Sequence, residues 1–362
     1  MAHLDIHGYA VISGIADPGA IVKAKDDFWS FWEKEKFRGN LDRNDINTWN
    51  NWMANAATGI IVSSRCANHN SFLWGARTLP KVRATFEKIW NENKLIVSYD
   101  AGGVFRPWKY NIQWLTNGGW WHVDQNSTKG PQRQGRVTIQ GLVTYYDATA
   151  ETGGLCVIPG SHHYHNELCE RVPSAKAKID FVSVPVTDPI LRSAEPVLVC
   201  AQAGDLILWD SRTVHCNTPA LSMANHHRDL LNKGNSTAAV DPTSSATSPP
   251  DLLRLVAYVC LSPVSHASPD ILFQRKQAFL HRLGTSHYPT CEMGHFPRER
   301  LPPWTTNREV LRLVGYSEEE IGSIQEGRDP EFREAGWWDA CLFGIVACSA
   351  LYYLLLHRSY SV

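Results

Sequence analysis

The stretch GGWWHVDQNS, residues 118–127, places an imidazole and a carboxylate two positions apart. In an extended segment, residues i and i+2 share a face, so His122 and Asp124 point together while Val123 points away. Such a pair alone could equally be a core histidine held by an acid, and a third donor is needed to distinguish the two. One is available in GDLILWDSRTVHCNTP, residues 204–219, where a Gly-Asp turn leads a short apolar strand and His215 follows near its end. Two imidazoles and one carboxylate on one side of a metal leave the opposite positions open, a donor set suited to non-haem Fe(II). Dioxygen and a co-substrate need such open positions.

Elements of defined type must hold these residues. Between residues 94 and 261 the runs LIVSY, YNIQWL, RVTIQGLVTYY, LCVIPG, VPVT, EPVLVC, DLILWD and LRLVAYVCL are rich in β-branched and aromatic residues and separated by Gly, Pro, Asp and Asn. Many short strands punctuated in this way predict a sandwich or barrel and not a parallel α/β sheet. Apolar spacing predicts helices over 21–32 and 79–90. Residues 222–250, with few large apolar side chains, read as a polar surface insertion. At the other extreme, ACLFGIVACSALYYLLL at 340–356 carries no charge; at about 1.5 Å per residue it would reach roughly 25 Å, against a hydrocarbon core of about 30 Å. It is either a C-terminal membrane anchor or a terminal helix packed on the domain.

Taken in order, the motifs HGYAVISG, WHVD, TGGLCVIPGSHH, GDLILWDSRTVHCNTP and LRLVAYVCLSP span about the first three quarters of the chain. On these motifs the chain resembles the phytanoyl-CoA dioxygenase family of Fe(II)- and 2-oxoglutarate-dependent oxygenases. The resemblance implies a mainly β fold with flanking helices, a double-stranded β-helix or cupin-like jelly roll. It implies His122, Asp124 and His215 as iron ligands, and a basic residue for the distal carboxylate of 2-oxoglutarate. Arg254 is the choice, because its RLVAYVC context matches the family and it shares a strand face with Val256, Tyr258 and Cys260. Arg228 is the fallback: it stands nearer the usual spacing after His215, but lies in the polar insertion. The connection from His215 to Arg254 is longer than the family pattern.

By strand alternation, Lys109, Asn111 and Gln113 of WKYNIQW and Thr144 of LVTYY are candidates for contacting co-substrate or substrate. The histidines at 162, 163 and 165 are expected at a turn, exposed or on the pocket rim. Related halogenases replace the carboxylate at the Asp124 position by a small residue, so the aspartate favours hydroxylation. The implied reaction uses Fe(II), 2-oxoglutarate and dioxygen, with ascorbate as reductant, acts on a small organic or lipid-like molecule, and releases succinate and CO2. Alternatives are a non-catalytic cupin-like binding protein, or a related oxygenase that epimerises, cyclises or desaturates.

Composition narrows the class further. The 362 residues are 43% hydrophobic with a formal net charge of -1, enough apolar material for a substantial core and no basic footprint for nucleic acid. Nine cysteines without a CxxC pair, and a start without a basic and then apolar leader, predict free thiols and a cytoplasmic protein, membrane-associated if the tail is an anchor. The expected organisation is an oxygenase domain over 1–336 and a hydrophobic tail over 337–362. Nothing in the sequence bears on oligomeric state.

Overall fold

A computed structural model of the chain describes residues 1–35, 40–61, 67–219, 251–288 and 306–335. The polar insertion at 222–250 with Arg228, and the apolar run at 340–356, lie outside the described residues.

Twelve described strands build the domain. They are β1 (Tyr9–Ile12), β2 (Leu95–Val97), β3 (Gly102–Phe105), β4 (His122–Val123), β5 (Ile139–Thr144), β6 (Gly154–Val157), β7 (Val182–Ser183), β8 (Val197–Leu198), β9 (Leu206–Asp210), β10 (His215–Thr218), β11 (Arg254–Val259) and β12 (Leu261–Pro263). One antiparallel sheet has the order β1-β9-β5-β11-β3 and a second the order β7-β4-β10-β6-β8, while β12 pairs with β2. Along the chain, β3, β5, β9 and β11 fall in the first sheet, and β4, β6 and β10, which follow β3, β5 and β9, fall in the second. That alternation wraps two sheets around one interior and makes the fold a double-stranded β-helix.

The period-2 pattern then sorts side chains to two faces of the first sheet. Leu142, Ile207, Trp209 and Val256 pack inward against Leu155, Val157 and Val199. Ile139, Val143, Leu206, Leu208, Leu255 and Ala257 pack outward. That outer face is covered by the helices Pro18–Glu35 and Ser71–Arg77 through Phe28, Trp32, Phe72 and Leu73. Both faces are buried, which explains why RVTIQGLVTYY and DLILWD are nearly continuous apolar runs instead of alternating ones.

The helix expected over 21–32 extends over Pro18–Glu35, and the one over 79–90 is Pro80–Trp90, which has proline at its first position. Two strand expectations fail. The YNIQWL run forms a 3-10 turn, Ile112–Trp114, because the Asn111 side chain accepts from the Gln113 amide and caps a turn. VPVT also lies outside any strand: Pro185 has no N–H for a ladder, and β7 ends before it. Among the described residues no helix is long and apolar enough to cross a membrane.

Candidate metal centre and active site

The two histidines of the motif meet because their strands pair. β10 runs antiparallel to β4 with His215 directly opposite His122, bringing the ring centroids to 4.2 Å. Asp124 follows β4 directly, at a bend whose amide donates to the Ser211 carbonyl at 2.9 Å. Its carboxylate lies 3.5 Å from His122 Nε2 through Oδ1 and 3.1 Å from His215 Nε2 through Oδ2. One ligand atom from each of the three falls within 4.8 Å of the others, the one such constellation among the described residues.

The surroundings fix which nitrogen faces inward. His122 Nδ1 sits 3.1 Å from the Trp120 carbonyl and His215 Nδ1 2.8 Å from the Thr213 carbonyl. A carbonyl can only accept, so each Nδ1 carries the proton and each Nε2 lone pair is turned toward Asp124. The His122 ring is sandwiched between Trp120 at 4.9 Å and Phe181 at 4.5 Å. Burial, with His215 alongside, lowers its pKa to about 3, so the imidazole stays neutral and able to bind a metal. Burial alone would raise the Asp124 pKa; the imidazoles of His122, His287 and His215 override it and hold the carboxyl well below the usual range.

Residues that the motif reading missed hold Asp124 in place. Gln140 donates to Oδ2 at 2.8 Å, and both His287 Nε2 and the Tyr288 hydroxyl reach the Asp124 backbone carbonyl at 3.0 Å. Gln140 was legible: it lies two positions from Leu142 and four from Thr144, on the inward face of β5. His287 and Tyr288 gave no signal, because their approach depends on how the chain returns after the helix Pro269–Leu280.

Arg254 opens β11 opposite Phe105 of β3 and is 2% exposed. Its guanidinium lies 4.9 Å from the Phe105 ring centre, and neither Nη1 nor Nη2 has a hydrogen-bond partner among the described residues. Burial lowers its pKa against the neighbouring Tyr258. A buried guanidinium with two orphaned nitrogens is the counterpart of a planar carboxylate, so the residue present fits the distal end of 2-oxoglutarate. Likewise, two imidazoles and a carboxylate fit Fe(II).

The other candidates are placed differently. Asn111 and Gln113 sit on the 3-10 turn, Gln113 exposed and Asn111 occupied as its cap, and Lys109 is exposed; none lines the cavity, so the expected inward alternation does not exist there. Thr144 does face inward, but its hydroxyl donates to the Tyr146 carbonyl at 2.6 Å. His162 and His165 are buried instead of exposed: they reach the carbonyls of Asp5 and Gln125 and tie the turn to neighbouring segments. The His122, Asp124 and His215 side chains open on a cavity of about 810 Å³ that also includes Asp100, Trp209, Asn217 and Tyr258.

The family described as Phytanoyl-CoA dioxygenase (PhyH) matches residues 4–225, more than half of the chain. The chain belongs to the phytanoyl-CoA dioxygenase family. Like the enzymes of that family it is an Fe(II)- and 2-oxoglutarate-dependent oxygenase, and the non-catalytic alternative falls away. The Ava biosynthesis cluster protein O of Aspergillus versicolor is 26% identical over 276 residues, 71% of this chain and 75% of that protein. A protein of Dictyostelium discoideum named for phytanoyl-CoA dioxygenase is 24% identical over 193 residues, 44% of this chain and 54% of its own length. Among solved structures, the epimerase SnoN in complex with Fe3+, alpha ketoglutarate and nogalamycin RO is 16% identical, with a TM-score of 0.47 over 82% of this chain and 93% of that one.

Proposed function

We propose that this phytanoyl-CoA dioxygenase family member hydroxylates a small organic or lipid-like substrate, with His122, Asp124 and His215 holding Fe(II) and Arg254 receiving the distal carboxylate of 2-oxoglutarate. The observation that carries the ligand assignment is the convergence of the three donors within 4.8 Å of one another. Fe(II) with bound 2-oxoglutarate would supply the oxidising chemistry: one atom of dioxygen ends in the hydroxylated product, the other in succinate, and CO2 is lost. Ascorbate would keep the iron reduced.

The chain's own residues bind, orient and exclude. Trp120 and Phe181 clamp the His122 ring, and the Trp120 and Thr213 carbonyls fix both imidazole tautomers. Gln140 turns the Asp124 carboxylate. Asp124 occupies the position that halogenases vacate, which supports oxygen insertion over halide transfer. Epimerisation, cyclisation and desaturation share the same metal and co-substrate, and product analysis separates them from hydroxylation.

The test is succinate formation from 2-oxoglutarate by purified protein with Fe(II), ascorbate and dioxygen. Activity in the wild type that disappears in His122→Ala and Asp124→Ala supports the reading; activity that survives in either removes it. The uncharged run at 340–356 would tether the enzyme to a membrane, and carbonate extraction of the full chain against a chain ending at residue 336 tests that part.

A further inference from the structure

The cavity has an electrostatic imbalance that the metal chemistry does not use. Besides His122, Asp124 and His215, its wall carries one further carboxylate, Asp100, and one further imidazole, His287; no Lys or Arg is among its described lining residues. Asp100 follows β2 in a turn whose shape is set by the returning chain. Tyr99 N donates to Thr285 Oγ1 at 2.7 Å and Thr285 N donates to the Tyr99 carbonyl at 3.1 Å. This double link brings Ser286 and His287 to the same wall as Asp100.

The fully buried Arg77 lies against Asp100 but forms no ion pair with its carboxylate. Arg77 spends its donors on main-chain carbonyls, Nη1 on Asn68 at 2.8 Å and Nη2 on Asp100 at 2.5 Å. Of the Asp100 carboxylate oxygens, Oδ1 accepts from the Ala101 amide at 2.7 Å, and no ion pair to either oxygen forms among the described residues. Burial accordingly raises its pKa despite His287, the Ala101 amide and Arg77, and the charge of Asp124 adds to the rise. A carboxylate on a cavity wall with a spare oxygen and no ion pair among the described residues is costly unless a ligand brings a cation to it. Around it the wall is largely apolar, with Ile60, Ile61, Leu142, Leu155, Phe181 and Trp209.

We infer that Asp100 determines substrate specificity, and that the substrate carries a cationic nitrogen on an apolar body, the nitrogen pairing with Asp100 and the body lying along the apolar wall toward the metal centre. This rests on the oxygenase reading, since it takes the same cavity as the substrate site. The iron-binding groups come from β4, the residue that follows it and β10, whereas the wall around Asp100 is completed by Thr285, Ser286 and His287. Those three lie beyond residues 4–225, the part matched by the family. A wall built partly outside the shared region is where one family member would differ from another in substrate.

The experiment uses three probes of one shape: 4-phenylbutylamine, 4-phenylbutanol and 4-phenylbutyrate. Their affinities for the full chain loaded with Fe(II) and 2-oxoglutarate under anaerobic conditions are measured by saturation-transfer NMR and calorimetry. The wild type is expected to bind the amine at least tenfold more tightly than the alcohol and to exclude the carboxylate. In Asp100→Asn, which keeps an oxygen to accept from the Ala101 amide, the amine preference should fall to within twofold. Wild-type protein that binds the amine no better than the alcohol, or binds none of the three, overturns the inference, as does an amine preference that survives in Asp100→Asn. The wild-type comparison stands even if the variant does not fold. Binding of Fe(II) and 2-oxoglutarate, followed by the visible metal-to-ligand charge-transfer band, is measured on the same anaerobic preparations: a wild type that forms no band defeats the oxygenase reading, whereas one that forms the band but shows no amine preference defeats this inference alone.

Discussion

Replacing Arg254 by methionine separates a co-substrate anchor from a structural arginine, because the two roles predict opposite changes in stability. The guanidinium is 2% exposed and its Nη atoms are orphaned. Holding such an ion out of water costs several kcal/mol. Its visible return is the face of Phe105, worth about 0.5–2 kcal/mol. In the free protein the charge is a liability, and a methionine of similar length relieves it, so Arg254→Met should melt at the same temperature as the wild type or higher. Once a carboxylate arrives the balance reverses. Removing one partner of a buried, hydrogen-bonded charge pair costs about 2–5 kcal/mol, which is roughly 30-fold to several thousand-fold in KM for 2-oxoglutarate. Arg254→Lys keeps the charge without the two-pronged geometry and should fall between. The assays are succinate release against 2-oxoglutarate concentration and thermal melting with and without 2-oxoglutarate. The wild type gains about 2.7 kcal/mol at one hundred times the dissociation constant, and the methionine variant gains little at the same concentration. An unchanged KM in Arg254→Met, or a large fall in melting temperature with the 2-oxoglutarate shift intact, would refute the assignment and leave Arg254 as scaffold.

Further predictions concern its neighbours and supports. A Cβ at Gly103 would lie 3.1 Å from both Arg254 Nη1 and the Tyr258 hydroxyl, so Gly103→Ala should raise KM for 2-oxoglutarate severalfold with a smaller effect on melting. Tyr288→Phe removes the hydroxyl that donates to the Asp124 carbonyl but keeps the ring against Arg133, and should weaken Fe(II) binding by about 10-fold or more, read by metal titration. Asp210, with no exposed side-chain surface, binds both Arg136 and Arg212, and Asp210→Asn should cost about 3–5 kcal/mol at neutral pH in denaturant unfolding. Burial would raise the Asp210 pKa, but Arg212 and then Arg136 bring it below the ordinary value. The stabilisation is therefore fully present above the unfolded value of about 3.9 and is lost as pH falls through the lower folded value, so the gap between variant and wild type should close only in that acidic window.

The chemistry of the site was written in the local sequence, because its signals are local. His122 and Asp124 stand two apart in a glycine-led aromatic stretch, and His215 follows a short apolar run; residue type and spacing suffice to nominate all three. The runs that became β2, β5, β6, β8, β9 and β11 and the two long helices were legible for the same reason, since burial on both faces or on one stripe leaves a pattern within ten residues. Where local chemistry competed, pattern misled: Asn111 as a cap converts WKYNIQW from an alternating strand into a turn, and periodicity contains no information about that hydrogen bond. What tertiary structure alone decided were the contacts between segments far apart in sequence. The register that sets His215 opposite His122, the burial of Arg254 against Phe105, the grip of His287 and Tyr288 on Asp124, and the pairing of Tyr99 with Thr285 that completes the wall around Asp100 all depend on which strands pair and where the chain returns. A sequence specifies such contacts only through the whole fold, because each is a balance of burial against lost hydration that exists only once both segments have arrived.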